Sequence, residues 1–600
     1  MISALPHTRK LLCFTVVLLS QALAASAFGE RPPNVVIFLA DDQGWGDLSA
    51  NQNPNLNTPS IDSLARDGAT IEHFYVCAVC SPTRAEFLTG RYHTRSGVYS
   101  TSTGGERFNS DEETIADVFQ MAGYATAAFG KWHSGMQYPY HPNARGFAEY
   151  YGFCSGHWGN YYSPMLEHNG QLVQGEGFII DDLTNHAIDF IREHQQKPFF
   201  VYVPYNTPHS PMQVPDANWN RFKDKDIVPD PSSANARSEK VNHTRAALAM
   251  SQNIDENVGR VLDCLSELDL ERDTVVIYFS DNGPNGSRYN GGMRGRKGST
   301  HEGGLRVPFF IRYPQKIPAG SVLKQVGGAI DLLPTLADFA GIKHNSKKPL
   351  DGVSLAGALE SNGAVVPERL LFSAWKQKAS VRSQRFRYQS NGLLFDLSAD
   401  PGETVDVAEM HPGTAKRLSD ALQKWLRDSK AENGVKPENR PITVGHPQER
   451  QTQLPARDAL PHGQVQRSNR FPNATYMTHW SGNQEDRITW EIEVLEGGEF
   501  EVEMYYACEA SSVGAELELS FGEKKITTTI GMPHDVPLVG AEEDRVLRQE
   551  GYVKHWASMQ LGSIELAKGP GTLELRANGV ETKNVADMRL LMLKRVNRQR

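Results

Sequence analysis

Positive charge is in short supply in this 600-residue chain: 62 Lys and Arg face 71 Asp and Glu, a net charge of −9. That balance excludes a general basic surface for nucleic acid, so an anionic substrate must be met by a local positive pocket. Beyond the N-terminal segment no stretch is long and apolar enough to cross a bilayer. Cysteine is scarce, with six in all. After Cys13, the remaining Cys77, Cys80, Cys154, Cys264 and Cys508 are too scattered for a disulfide framework. No pair has the spacing of a structural zinc site. The odd number leaves one thiol in need of another role. There is no internal repeat.

What is present reads as a soluble globular protein, 39% hydrophobic and 22% charged, long enough for two or three domains. Residues 1–27 have the pattern of a signal peptide. Arg9 and Lys10 precede the apolar run Leu11–Leu19, and Ala25-Ser26-Ala27 supplies small residues for cleavage. A membrane anchor is the other reading, but Ser20 and Gln21 cut the run short. The expected location is therefore secreted or periplasmic, with no membrane span after cleavage.

Five apolar runs share one design. Val35–Leu39 is followed by Asp41 and Asp42, Ala125–Phe129 by Lys131 and His133, and Phe199–Val203 by Asn206 and His209. Val275–Phe279 is followed by Asp281 and Asn282, and Val307–Ile311 is preceded by Lys297, Glu302 and Arg306. Continuous rather than alternating apolar runs predict strands covered on both faces. Helical stretches lie between them, from Thr58 to near Gly68, Glu113 to Gly123 and Thr244 to Leu268. The alternation predicts an α/β sandwich with a mostly parallel central sheet. Ligands gather at the C-terminal strand ends of such sheets, and the polar residues fall there repeatedly.

The catalytic unit is expected over residues 33–342. A small α+β subdomain follows at 343–430, with strands at Arg385–Ser390 and Leu393–Leu397 and a helix that turns Leu418, Leu422, Trp425 and Leu426 to one side. Residues 431–470, rich in Pro, Gln, Asn and Arg, are expected as a linker or wrapping segment. Residues 471–600 show strict alternation, as at Ile488, Trp490, Ile492 and Val494, and predict a β-sandwich. That domain either binds sugar or buttresses the enzyme. Trp480, Trp490 and Trp556 serve either reading.

The segment Ala78-Val79-Cys80-Ser81-Pro82-Thr83-Arg84-Ala85-Glu86-Phe87-Leu88-Thr89-Gly90 carries the most chemistry. Ser81 and Pro82 suit the N-cap and first turn of a helix. Cys80 then sits at the positive end of the helix dipole, with Arg84 one turn on. The segment resembles, position by position, the Cys-x-Pro-x-Arg signature of the type I, formylglycine-dependent sulfatases of the alkaline phosphatase superfamily. Gly123–His133 is similar to that family's second signature, with Gly130, Lys131 and His133 intact and a bulkier Phe129. Tyr205–His209 resembles its Pro-His segment, and Arg294–Pro308 its lysine loop. The resemblance runs from about residue 33 to 430. It implies an alkaline-phosphatase-like fold and an arylsulfatase-like sulfuric ester hydrolase. It also implies a maturation enzyme that oxidises Cys80 to formylglycine, which accounts for the odd thiol.

Asp41 with Asp42 and Asp281 with Asn282 end two strands. Adjacent acids repel unless a cation lies between them, and an all-oxygen set suits calcium or magnesium. The resemblance implies one calcium per site, held also by the group at position 80. It implies that Lys131 and Lys297 clamp the sulfate and that Arg84 helps hold the hydrated aldehyde. A covalent sulfo-enzyme follows, His209 protonates the departing alcohol, and His133 removes a proton in the second step. Glu302 and Arg306 hold the lysine loop together. The expected substrate is a sulfated carbohydrate or other small sulfate ester. Two other readings are a formylglycine-dependent phosphodiesterase or phosphonate hydrolase, and an inactive carbohydrate-binding protein. The second is disfavoured because every site residue is present.

Overall fold

Strand β1 (Asn34–Ala40) shows how the molecule is layered. Its side chains alternate between two faces, yet every one is buried. Val35, Ile37 and Leu39 enter one core, and Val36, Phe38 and Ala40 enter the other. The chain is described here from a computed structural model, covering residues 31–229, 239–344, 346–361, 368–432, 440–578 and 582–596. The segment read as a signal peptide, with Cys13, lies outside the described residues. No helix among the described residues is long and apolar enough to cross a membrane.

The central sheet adds β2 (Ala69–Tyr75), β3 (Ala125–Lys131), β4 (Glu149–Phe153), β5 (Met165–His168), β6 (Gln171–Gln174), β7 (Phe199–Pro204), β8 (Thr274–Ser280), β9 (Phe309–Arg312) and β10 (Ser321–Gly328). The ten strands run β10-β2-β9-β8-β1-β7-β3-β4-β5-β6. β8, β1, β7, β3 and β4 are parallel neighbours. The helices Pro59–Arg66, Ile179–His194 and Val241–Glu267 cover one face, and Cys80–Thr89, Ile115–Met121 and Leu332–Phe339 cover the other. Each fully buried Val, Ile or Phe contributes about 1.5–3 kcal/mol, so both faces must be closed for the sheet to persist.

β9, which falls in the apolar run Val307–Ile311, is antiparallel to both β2 and β8 within an otherwise mostly parallel sheet. This reversal matters for the site. The loop leading into β9, which carries Lys297, falls at the same edge as the C-terminal ends of β1, β7 and β8. The helix after β2 begins at Cys80 itself, with Val79 as N-cap. Ser81, expected as the cap, instead donates its hydroxyl to the Ser100 carbonyl (3.2 Å). The strands β2, β4, β5, β6 and β10 have no counterpart in the apolar runs read from the sequence.

A four-stranded antiparallel sheet, Leu371–Trp375, Lys378–Arg382, Phe386–Gln389 and Leu394–Asp396, follows, and the helix Pro412–Glu432 packs Leu418, Leu422 and Trp425 against it. Within the segment expected as a linker or wrapping segment, residues 440–470 contribute short strands to the C-terminal sheets. Ile442–Val444 pairs parallel with Ile492–Val494, and Gln451–Pro455 pairs antiparallel with Leu590–Lys594. These segments are too short for a two-residue period to show. Only Ile442, Val444, Leu454 and Ala456 mark them, all buried in the sandwich core. Two six-stranded sheets enclose that core. Trp480 and Trp490 are fully buried in it and cannot stack on sugar, whereas Trp556 is part-buried against Tyr476.

The sandwich is docked firmly on the catalytic unit. Buried Arg457 pairs with buried Glu106 (2.8 Å). Gln213 donates to the Gly540 carbonyl (2.8 Å), Arg548 donates to that of Gly159, and Arg545 pairs with Asp216.

Candidate active site

Five segments converge at one edge of the sheet because their parallel strands end in register. Leu39 lies opposite Pro204, Ala40 opposite Ser280, and Lys131 opposite Phe153. The next residues are therefore neighbours in space. Asp41 N–H donates to the Thr207 carbonyl (3.0 Å) and Asp281 N–H to that of Ala40 (3.1 Å). Asp42 turns back with φ +66°, and its N–H donates to Asp281 Oδ1 (3.1 Å). Asp41, Asp42, Arg84, Lys131, Asp281 and Asn282 are wholly buried.

Three carboxylates at close range need positive charge. Lys131 Nζ lies 2.5 Å from Asp41 Oδ2, Arg84 Nη2 2.9 Å from Asp281 Oδ2, and Lys297 Nζ 2.6 Å from Asp42 Oδ1. Burial would raise the Asp42 carboxyl, but Lys297 and His209 outweigh it and hold the group well below the usual range. Asp281 goes the other way. Burial and the Asp41 charge push it up to about 6, against Arg84 and Lys131. Arg84 also donates to the Lys131 carbonyl (2.8 Å), so its guanidinium orients Asp281 and the end of β3 as well as facing Cys80.

The donor set fits a hard divalent cation. Asp41 Oδ1 and Asn282 Oδ1 are buried with no hydrogen-bond partner among the described residues. Asp41, Cys80 and Asp281 present ligand atoms within 4.8 Å of one another, and so do Asp41, Asp42 and His209. Oxygen donors predominate, as calcium and magnesium prefer.

Cys80 heads its helix beside this cluster and is 3% exposed. Burial pushes its thiol up, opposed by Lys131 and Lys297. An unmodified thiol is then a poor nucleophile, because the reactive form is the thiolate. His133 Nε2 hydrogen-bonds the Thr101 carbonyl (2.8 Å), leaving Nδ1 with a free lone pair. Burial first, then Lys131, holds this ring well below the usual histidine range, so it is neutral. His209 Nδ1 donates to the Ser210 carbonyl (2.7 Å), and its Nε2 faces Asp42 Oδ2 at 3.7 Å. Burial and Lys297 lower it to about 4, against Asp42. A second proton on this ring therefore needs additional negative charge beside it.

The floor is closed, and the mouth opens at Lys297 and His209, whose side chains are 20% and 10% exposed. The Lys297 loop is tied down by its own backbone, with Gly298 N–H donating to the Ala78 carbonyl (2.7 Å). Glu302 anchors it through Tyr75 Oη (2.7 Å) and Arg387 (2.6 Å), with Arg306 at 3.8 Å.

Several neighbours were not foreseen from sequence. Arg288 grips Asp47 and donates to the Asp42 carbonyl (3.0 Å). His157 stacks beside His209. Its signal was legible in principle, since Ser155-Gly156-His157 follows the end of β4 as the other site residues follow their strands. Asn473 and Glu550 come from the C-terminal domain and carried no local signal.

Comparison with known proteins adds to this geometry. Residues 33–342 match the Sulfatase family. N-acetylgalactosamine-6-sulfatase of Mus musculus is 32% identical over 377 residues, covering 57% of this chain and 69% of that protein. Arylsulfatase A of Bos taurus is 29% identical over 476 residues, covering 68% and 89%. The crystal structure of Ps i-CgsB in complex with k-i-k-neocarrahexaose superposes with a TM-score of 0.61 at 28% identity, covering 68% of this chain and 94% of that one. With an alkaline-phosphatase-like sheet, a cysteine heading a helix beside paired acids, and these relatives, the chain belongs to the sulfatase family and is a hydrolase of sulfuric esters.

Proposed function

We propose that this enzyme removes sulfate from a sulfated carbohydrate, with formylglycine made from Cys80 as nucleophile and one calcium in the acidic cluster. The observation that carries this reading is the position of Cys80, at a helix N-terminus beside the carboxylates of Asp41 and Asp281 and two lysines. The family generally uses formylglycine and a divalent metal. When present, the hydrated aldehyde supplies a nucleophilic hydroxyl where a buried thiol would not. Asp41, Asp42, Asp281 and Asn282, with the group at position 80, would hold the ion, which supplies positive charge against the sulfate oxygens.

The rest is work for this chain's own side chains. Lys131 and Lys297 bind sulfate oxygens and neutralise the charge that otherwise repels a nucleophile. Arg84 keeps Asp281 oriented. His133, neutral with Nδ1 free, would accept a proton from the group at position 80 in the second step, after the alcohol has left. His209 gains a proton at Nε2 when the sulfate's negative charge enters, and delivers it to the departing alcohol oxygen. The carbohydrate part of the reading is supported by the relatives, one named N-acetylgalactosamine-6-sulfatase and one solved in complex with k-i-k-neocarrahexaose. The N-terminal pattern supports export, and formylglycine requires a maturation enzyme as partner.

A substrate panel tests the reaction class. Nitrophenyl sulfate and sulfated mono- and oligosaccharides should be hydrolysed far faster than phosphate diesters and phosphonates. The reverse order would establish the phosphonate-hydrolase alternative. Metal analysis tests the cluster. The active enzyme should carry one calcium per chain, and Asp281→Asn, which keeps the side-chain volume beside Arg84, should lose most of it. Zinc in the active enzyme, or full activity without metal, would contradict the oxygen-ligand reading.

A further inference from the structure

One buried donor beside His209 has no hydrogen-bond partner among the described residues. His157 is 5% exposed, and its ring lies parallel to that of His209, with centroids 5.9 Å apart and an interplanar angle of 14°. Its tautomer follows from residues of the C-terminal domain. Arg457, fixed by Glu106 at 2.8 Å, donates from Nη1 to Asn473 Oδ1 (3.2 Å). The other end of that amide, Nδ2, must then be the donor to His157 Nδ1 (3.4 Å). With Nδ1 accepting, a neutral ring carries its proton on Nε2. Burial and the charges of His209, Lys131, Lys297 and Arg548 hold the ring well below the usual histidine range, and hence neutral. Nε2 has no hydrogen-bond partner among the described residues.

The arrangement is built rather than accidental. The Ser155 hydroxyl donates to the Asn473 carbonyl (2.9 Å) and accepts from Arg457 (3.0 Å), which locks the two domains together at this point. A Cβ on Gly156 would come within 2.5 Å of both Asn473 Nδ2 and His133 Nε2, so only glycine permits the approach. Next to His209 in sequence, the Ser210 hydroxyl donates to Glu550, also from the C-terminal domain (2.5 Å).

We infer that the Nε2–H of His157, set by Asn473 of the C-terminal domain, is a binding subsite for a hydroxyl oxygen of the sugar unit that carries the sulfate. A buried donor without a partner is costly unless the substrate satisfies it. His209 stands at the leaving oxygen, so the group stacked beside it meets the alcohol side of the substrate rather than the sulfate. The C-terminal domain is thereby part of the substrate pocket and not a detached sugar-binding module. This rests on the sulfated-carbohydrate reading above.

The test uses full-length wild type, His157→Ala, His157→Gln and Asn473→Ala, each checked by thermal melting. Three substrates are compared: the sulfated sugar turned over fastest by the wild type, its deoxy analogue lacking the neighbouring hydroxyl, and nitrophenyl sulfate. His157→Ala should raise KM for the sulfated sugar about tenfold, the scale of one buried hydrogen bond, while kcat changes less than about threefold. The rise should be clearly smaller on the deoxy analogue and on nitrophenyl sulfate. His157→Gln, which keeps an N–H donor, should recover part of the loss, and Asn473→Ala should follow His157→Ala more weakly. Should His157→Ala not fold, the Gln and Asn473 variants carry the same comparison. Equal losses on all three substrates, or a fall confined to kcat, would overturn the subsite. A wild type that hydrolyses nitrophenyl sulfate but no sulfated sugar would overturn the carbohydrate reading itself, and the subsite with it.

Discussion

Cys80→Ala is expected to abolish hydrolysis of every sulfate ester, by roughly 10⁶-fold, the scale reached when a covalent nucleophile is removed. The loss should not depend on leaving group, because the missing group attacks sulfur and takes no part in recognising the alcohol. The fold should survive. The substitution removes a single atom from a helix whose next residues, Ser81 to Leu88, stay buried against the sheet and its neighbours, and about 1 kcal/mol is the usual scale of such a change. Mass spectrometry of the peptide containing residue 80 supplies the companion result. In active enzyme made with a maturation enzyme, the thiol should be replaced by an aldehyde. A fully active preparation that retains the cysteine would end the mechanism, since burial pushes that thiol away from its reactive form.

His209→Ala should give the second large effect, and it should depend on the substrate. A nitrophenolate leaves readily without a proton, whereas a sugar alkoxide is a far stronger base and does not. A positioned general acid typically contributes roughly 10²–10⁴-fold. The variant should therefore lose about that factor on a sugar sulfate and much less on nitrophenyl sulfate. The geometry gives the reason. With Nδ1–H committed to the Ser210 carbonyl, any further proton sits on Nε2, facing Asp42 and the mouth of the site. Steady-state kinetics on both substrates checks this, with Cys80→Ala as the control that harms both alike. If His209→Ala slows both equally, Lys297, whose Nζ also reaches the mouth, becomes the better candidate for the acid.

Much of the candidate site was legible in the sequence, because chemistry follows strand ends in this architecture. Val35–Leu39 and Val275–Phe279 are continuous apolar runs, and such runs survive only when covered on both faces. The acids after them therefore had to emerge at an edge. The Cys80 segment and the Lys131 segment were legible as motifs. The reversed direction of β9 was not, since an apolar run carries no arrow. Nor were the short strands of residues 442–467, where a few buried residues are too few to show a period. The tryptophans were ambiguous for a related reason. Composition cannot say whether an aromatic faces a core or a sugar, and only the closing of two sheets over Trp480 and Trp490 decided it.

The sequence by itself determined the α/β class, and it marked out the segments of the candidate site and the kind of ion their side chains would suit. It did so because each of those depends on residues adjacent along the chain. The tertiary structure alone decided the state of His157 and the place of the C-terminal domain in the pocket. Asn473 lies more than three hundred residues from His157 in sequence, and the hydrogen bond that sets the tautomer exists only once two domains have docked. Proton position is governed by the partner in space, and no local pattern records which partner the fold will deliver.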